Sequence, residues 1–206
     1  MATVLHIDSS PLGELSVSRK LTADIVAAWL KSHPSDKLVY RDVAAAPPEH
    51  LTLELMQVVK FGNTEGLSPR QAQELALVNT LVDELFAADV IVIGAPMYNF
   101  SLPTQLKAYL DRLCQAGKTF KYTEKGPVGL VTGKKVIVAS TRGGVYSTSE
   151  IGRSLDHQES YLRTVLAFIG ITDVSFVRAE GVSMGPEAKD KALAAAAEEI
   201  AKLTAA

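Results

Sequence analysis

One cysteine, Cys114, in 206 residues leaves this chain without an intrachain disulfide or a multi-thiolate metal site, and fits a reducing compartment, the cytoplasm. No apolar run approaches the roughly 20 residues of a membrane span. The N-terminus enters an apolar strand pattern at once, with no charged leader before a cleavable apolar segment, so neither export nor a membrane anchor is expected. Charge of one sign is also lacking. The 21 basic and 23 acidic residues are interspersed and sum to −2, with no basic block to follow a phosphate backbone, so nucleic acid is not an expected partner. Two glycine fingerprints are missing as well: G-x-x-x-x-G-K-[ST], which cradles nucleoside triphosphates, and G-x-G-x-x-G, which cradles dinucleotides.

What is present is a hydrophobic content of 47%, enough for one substantial core and a single domain over 1–206. Residues 3–8, 37–41, 89–94, 135–140 and 173–179 are short β-branched runs, several nearly continuous in apolar character, as strands buried on both faces are. Between them lie stripes of helical period: Leu21, Ile25, Ala28 and Trp29; Val78, Leu81, Val82, Leu85 and Phe86; Leu162, Val165, Leu166 and Ile169. This alternation predicts an α/β fold, a doubly wound five-stranded parallel sheet of order 2-1-3-4-5 with helices on both faces and a ligand beyond its carboxyl edge. Residues 42–72, with a short helix from Leu51 to Lys60, and residues 116–133 read as insertions near that binding edge. The Ala-rich stretch 192–206 reads as a C-terminal helix.

Three loops at the carboxyl edge carry the chemistry. After the first strand, Ser9-Ser10-Pro11-Leu12-Gly13-Glu14-Leu15-Ser16-Val17-Ser18 leads into a helix. Free amides, the helix dipole and serine hydroxyls make a cup there for one terminal phosphomonoester, such as that of FMN. Ordinary helix capping by Ser16 or Ser18 is the plain alternative. After the third strand, Met97, Tyr98, Asn99 and Phe100 offer an apolar wall and a side-chain amide suited to an isoalloxazine ring, ahead of a helix opened by Pro103 and faced by Leu106, Leu110 and Leu113. After the fourth, Thr141-Arg142-Gly143-Gly144 lets backbone approach a flat ligand and aim amides at negative charge, although alone it is also a plain tight turn.

Ser10 with Ser16 to Ser18, Ala-Pro-Met-Tyr-Asn-Phe at 95–100 followed by Pro-Thr-Gln-Leu-Lys, Gly-Lys-Thr-Phe-Lys-Tyr-Thr-Glu-Lys-Gly-Pro-Val-Gly-Leu at 117–130, and Arg-Gly-Gly at 142–144 resemble the bacterial FMN-dependent NADH:quinone oxidoreductases, also called azoreductases. The resemblance runs over essentially the whole chain. It implies a flavodoxin-like fold, a homodimer with two FMN sites at the subunit interface, and two-electron reduction of quinones and azo compounds. Carried over by motif, the FMN contacts fall on Ser10, Ser16, Val17, Ser18, Met97, Tyr98, Asn99, Phe100, Thr141, Arg142, Gly143 and Gly144. Thr141 stands where some members carry serine, which keeps a hydroxyl.

With chemistry at the flavin N5, no side chain is assigned a catalytic role and no metal is expected; NADH or NADPH is the donor, in ping-pong alternation with the oxidant. Phe120, Tyr122 and Tyr146 are the candidate substrate-pocket residues, the first two as candidates to reach across a dimer, with hairpin packing as their plain alternative. Phe61, Phe120 and Tyr122 are expected at the binding edge with little core left to bury them. His157 is a candidate to orient substrate, with capping of the helix that carries Tyr161 as its plainer role. Cys114 reads as buried and inert. A flavodoxin-type electron carrier, usually shorter and strongly acidic, and a receiver-like signalling module would share the architecture. The receiver needs an acidic cluster after the first strand and a phosphoacceptor Asp after the third, whereas this chain has Asp8-Ser9-Ser10 and Gly94-Ala95-Pro96 there.

Overall fold

The computed structural model describes residues 1–205. Its strands are β1 (Thr3–Asp8), β2 (Lys37–Asp42), β3 (Val90–Pro96), β4 (Phe120–Thr123), β5 (Gly126–Gly129), β6 (Lys135–Arg142) and β7 (Asp173–Glu180). Five of them form one parallel sheet, β2-β1-β3-β6-β7; β4 and β5 form a separate antiparallel hairpin. Counted along the sheet's own strands this is the expected 2-1-3-4-5; the hairpin shifts the labels by two.

The helices are α1 (Val17–Ser32), α2 (Leu53–Val59), α3 (Pro69–Ala87), α4 (Thr104–Leu113), α5 (Glu150–Ser154), α6 (Glu159–Ile169) and α7 (Pro186–Thr204). Because strand side chains alternate between faces, the central strands supply two cores at once. Val4, Val90, Val92, Ile137, Ala139 and Val177 face Leu21, Ile25, Ala196 and Ile200 of α1 and α7. Leu5, Ile7, Ile91, Ile93, Val136 and Val138 face the stripes of α3, α4 and α6. All four residues of the stripe Leu162, Val165, Leu166 and Ile169 are buried; Phe86, at the end of the α3 stripe, is exposed.

The two insertions lie at opposite ends of the sheet. Residues 42–72 follow β2 at the carboxyl edge, where α2 packs on α3. The 116–133 segment joins the end of α4 to the start of β6, and since α4 returns antiparallel to the strands, the hairpin sits at the amino edge. This corrects its expected place near the binding edge of the same subunit. Val131 N donates to Ile169 O, and a Cβ on Gly129 would lie 2.1 Å from Gly170 N, so only glycine permits this approach to the end of α6. Phe120 is consequently buried against Phe168, with ring centroids 4.4 Å apart, contrary to the expectation that no core remained for it. Tyr122 and Phe61 do stay exposed, at 74% and 63%.

Candidate active site

The loop after β1 is set by its own hydroxyls. Ser9 Oγ donates to Gly94 O at 2.5 Å, tying the loop to β3, and Arg19 Nε and Nη2 hold Ser10 O at 3.0 and 2.8 Å. Arg19 also pairs bidentately with Asp42. Hydrogen bonding to Asp42 outweighs burial and raises the Arg19 guanidinium, while on Asp42 burial is outweighed by Arg19 and the amides of Ala45 and Ala44, which hold the carboxyl low. Arg19 therefore braces the loop from behind.

Ser16 is the N-cap of α1, its Oγ accepting from Arg19 N at 3.3 Å, and it lies 3.0 Å from Ser18 Oγ. Lys20 N closes the first helical bond on Ser16 O. The amides of Val17 and Ser18 are left without a protein acceptor among the described residues, the donor arrangement that suits an oxyanion. The capping and phosphate readings of these serines thus coexist.

In the loop after β3, Met97 N donates to Thr141 O at 2.8 Å, and Tyr98 and Ser101 exchange both backbone bonds around Asn99 and Phe100. Those two residues have φ of 47° and 72°, the left-handed conformation that a type I′ turn demands and that L residues adopt at a cost of order 1 kcal/mol each. Tyr98 OH lies 3.2 Å from Ser10 Oγ, linking this loop to the first.

The loop after β6 is held by the segment that follows β7. Val182 N donates to Arg142 O, Ser183 N to Gly143 O and Gly181 N to Gly144 O. A Cβ on Gly143 would come 3.0 Å from Ser183 Oγ, so the close pairing favours glycine. The amides of Gly143 and Gly144 have no protein acceptor among the described residues.

Arg142 contributes to the cleft only through its backbone. Its guanidinium, 1% exposed, turns into the protein, where Asp156 Oδ2 lies at 2.8 Å and Glu180 Oε1 at 3.1 Å, and Glu159 and Gln158 also accept. Gln158 reaches on to Ala95 O, and Arg178 closes the set on Glu159 at 2.8 and 2.7 Å. Burial pushes the Glu180 carboxyl up, but hydrogen bonds from Ser147 Oγ and the amides of Tyr146 and Ser147, with the charge of Arg142, bring it below its ordinary range. The loop bearing the free amides is anchored by this buried network.

Ser10, Leu12, Leu15, Ser16, Val17, Pro96, Met97, Tyr98, Thr141, Arg142, Gly143, Val182, Ser183 and Lys189 line one cleft of about 360 Å³ at the carboxyl edge, within the usual size of small-ligand sites. Ser18, Asn99, Phe100, Gly144 and Tyr146 are not among the lining residues; Ser18 Oγ lies 3.0 Å from Ser16 Oγ, and Phe100 and Tyr146 meet edge to face at 6.3 Å. Phe120 and Tyr122 do not reach the cleft of their own subunit, because the hairpin is at the other end of the sheet. Leu12, Leu15, Pro96, Val182, Ser183 and Lys189 were not among the site residues expected from the sequence. The glycines flanking Val182 to Met184 were the available signal for the last loop.

Two smaller expectations change. His157 joins the loop after β3 through its backbone, its N donating to Phe100 O, while the start of α6 is capped by Asp156 Oδ1, which accepts from Gln158 and Glu159 N at 3.0 Å. Cys114 ends α4 half-buried, and burial, the largest influence, pushes its thiol up, which keeps it a poor nucleophile. Asp8 is buried and bonded to Thr22 and Tyr40, and a Cβ on Gly94 would meet it at 3.0 Å, which leaves no receiver-type acidic pocket.

A family model described as "Flavodoxin-like fold" matches residues 2–204. The FMN-dependent NADH:quinone oxidoreductase of Azospirillum brasilense is 66% identical over 197 residues, covering 96% of this chain and 95% of that protein. The protein of the same name from Acidovorax ebreus is 59% identical, covering 96% and 91%. Among solved structures, an azoreductase from Bacillus anthracis str. Sterne superposes with a TM-score of 0.89 at 31% identity over 99% of both chains. An FMN-dependent NADH-azoreductase from Bacillus anthracis str. Ames Ancestor, solved in complex with FMN, gives 0.90 at 25% identity over 100% of this chain and 98% of that one. With serine, aromatic and glycine loops meeting in one cleft on this sheet, and with relatives of such identity along nearly its whole length, the chain belongs to the family of FMN-dependent NADH:quinone oxidoreductases on the flavodoxin-like fold.

Proposed function

We propose that the cleft binds FMN and that the protein passes two electrons from NADH to quinones, and by two such cycles reduces azo compounds. The observation that carries this is the presence of free donors on one cleft: the amides of Val17, at a helix start, and of Gly143 belong to residues that line it, and the free amides of Ser18 and Gly144 follow them in the chain. FMN, when bound, supplies the hydride-accepting and electron-returning centre. Ser16, Val17 and Ser18 hold the phosphate; Met97 to Phe100 wall the ring; Gly143 and Gly144 direct amides at its polar edge, where negative charge is stabilised without reorganisation. Ser10 and Tyr98 lock the two loops together, and Thr141 receives the Met97 amide on its carbonyl. Phe100 and Tyr146 meet edge to face beside the residues that wall the ring. In this reading donor and oxidant both need the exposed flavin face and occupy it in turn, which gives ping-pong kinetics.

The first loop serves one terminal phosphate, and among the described residues no second pyrophosphate cradle stands beside it. Flavin released from the purified protein should run as FMN on chromatography; recovery of FAD alone would overturn the assignment of the serine loop.

The active unit in this reading is a two-fold homodimer in the cytoplasm. Tyr122 is exposed on a hairpin that cannot reach its own cleft, so its part in a substrate pocket requires a second copy, and exposed aromatic residues are common interface anchors. None of the described helices is long and apolar enough to cross a membrane. Light scattering over a dilution series, with NADH:quinone activity measured on the same samples, should show specific activity falling as dimer gives way to monomer. A fully active monomer at every concentration would contradict the shared site.

A further inference from the structure

The cleft has one wall that the serine loop does not make, the first turn of α7, and there Lys189 stands without a structural partner. Like Lys31, Lys37, Lys60, Lys121, Lys125 and Lys191, Lys189 pairs with no carboxylate among the described residues, and of these lysines it alone lines the cleft. It is exposed and lines the cleft. A cation in the first turn also faces the positive end of its own helix dipole, where it weakens the helix. The only other cation on the cleft is Arg142, whose guanidinium is spent inside the protein, and no carboxylate lines the cleft.

Helix register gives Lys189 its place. Helices α1 and α7 lie side by side on one face of the sheet and run in the same direction. Lys20, Leu21 and Asp24 share a surface groove with Leu193, Ala197 and Ile200, so the two helices pack along each other there, and Val17 and Lys189 both line the cleft. One turn back toward the carboxyl edge from Leu21 and Leu193 are Val17 and Lys189. Lys189 thus flanks the start of α1, where the Val17 and Ser18 amides are free and Ser16 offers its hydroxyl.

We propose that Lys189 is the counter-charge of the FMN phosphate, reaching from α7 to the anion that the start of α1 holds. This rests on the reading of the cleft as the FMN site. The amides and hydroxyls supply hydrogen bonds and partial charge, whereas a phosphate monoester carries close to two negative charges at neutral pH. Lys189 supplies the one full positive charge free to meet them.

The test uses the full-length protein freed of flavin, with dissociation constants measured by quenching of flavin fluorescence for FMN and for riboflavin, which lacks the phosphate. Lys189→Ala should weaken FMN about tenfold at low salt, flatten the salt dependence of FMN binding, and leave riboflavin within about twofold. Lys189→Arg should retain most of the FMN affinity. Unchanged FMN binding in Lys189→Ala, or an equal loss for FMN and riboflavin, would overturn the proposal. If the unsubstituted protein bound riboflavin as tightly as FMN, the phosphate cup itself would fail and the role of Lys189 with it. Preference for FMN in the parent with no response to Lys189 would sink the lysine alone.

Discussion

Replacing Arg142 with methionine should destabilise the protein by about 3–5 kcal/mol, because it removes the cation and leaves buried carboxylates facing one another. Asp156, Glu159 and Glu180 all converge on its guanidinium, and the side chain is 1% exposed. Water cannot take over that role. In a chain of this length the loss corresponds to a fall in Tm of roughly 6–20 °C, readable by thermal melts at neutral pH. Lys, which keeps the charge but lacks the fork that meets several acceptors, should recover only part of it. The deficit should shrink in acid, and the sign follows from Glu180. Its folded carboxyl is held below its ordinary 4.5, so its contribution is present above that pH and fades as pH falls through the lower folded value. The methionine variant has less of that contribution to lose. An unchanged Tm in Arg142→Met at neutral pH would show that the network does not hold the loop.

The double substitution Ser16→Ala, Ser18→Ala should weaken FMN binding by about 3 kcal/mol or more, since hydrogen bonds to a charged group are worth roughly 1.5–3 kcal/mol each. That is over a hundredfold in dissociation constant, by about 1.4 kcal/mol per decade. The fold should lose less. Ser16 does cap α1, accepting from Arg19 N, so about 1 kcal/mol of stability goes with it. The single Ser18→Ala variant separates the two roles, because among the described residues the Ser18 hydroxyl accepts no helix amide and hydrogen-bonds only with Ser16 Oγ. Fluorescence titration of flavin-free protein and a thermal melt of the same samples give both quantities. Full FMN affinity in the double variant would reduce these serines to capping.

Much of this was legible in the sequence because buried parallel strands read as unbroken apolar runs and helices as stripes. The five runs are the five sheet strands, and each loop singled out at the carboxyl edge contributes to the cleft. What stayed hidden was long-range. Arg142 looked like part of a ligand loop, but its partners lie as far away as Glu180, and local pattern gives no account of which way a guanidinium turns. Ser183 and Lys189 border the cleft only because the segment after β7 pairs with residues 142–144. Phe120 and Tyr122 were set at the wrong end of their own subunit. Chain order puts the hairpin between a returning helix and the next strand, hence at the amino edge. The left-handed turn at Asn99 and Phe100 had no glycine to announce it.

The central claim is that one cleft holds FMN and serves donor and oxidant in alternation. Anaerobic titration of the purified protein with NADH, followed through the flavin absorbance and then by addition of a quinone, tests it most directly. The account predicts bleaching complete at one NADH per FMN and full recovery of the yellow spectrum at one quinone per FMN. A bound flavin that NADH leaves oxidised, or a reduced flavin that quinone does not reoxidise, would contradict it.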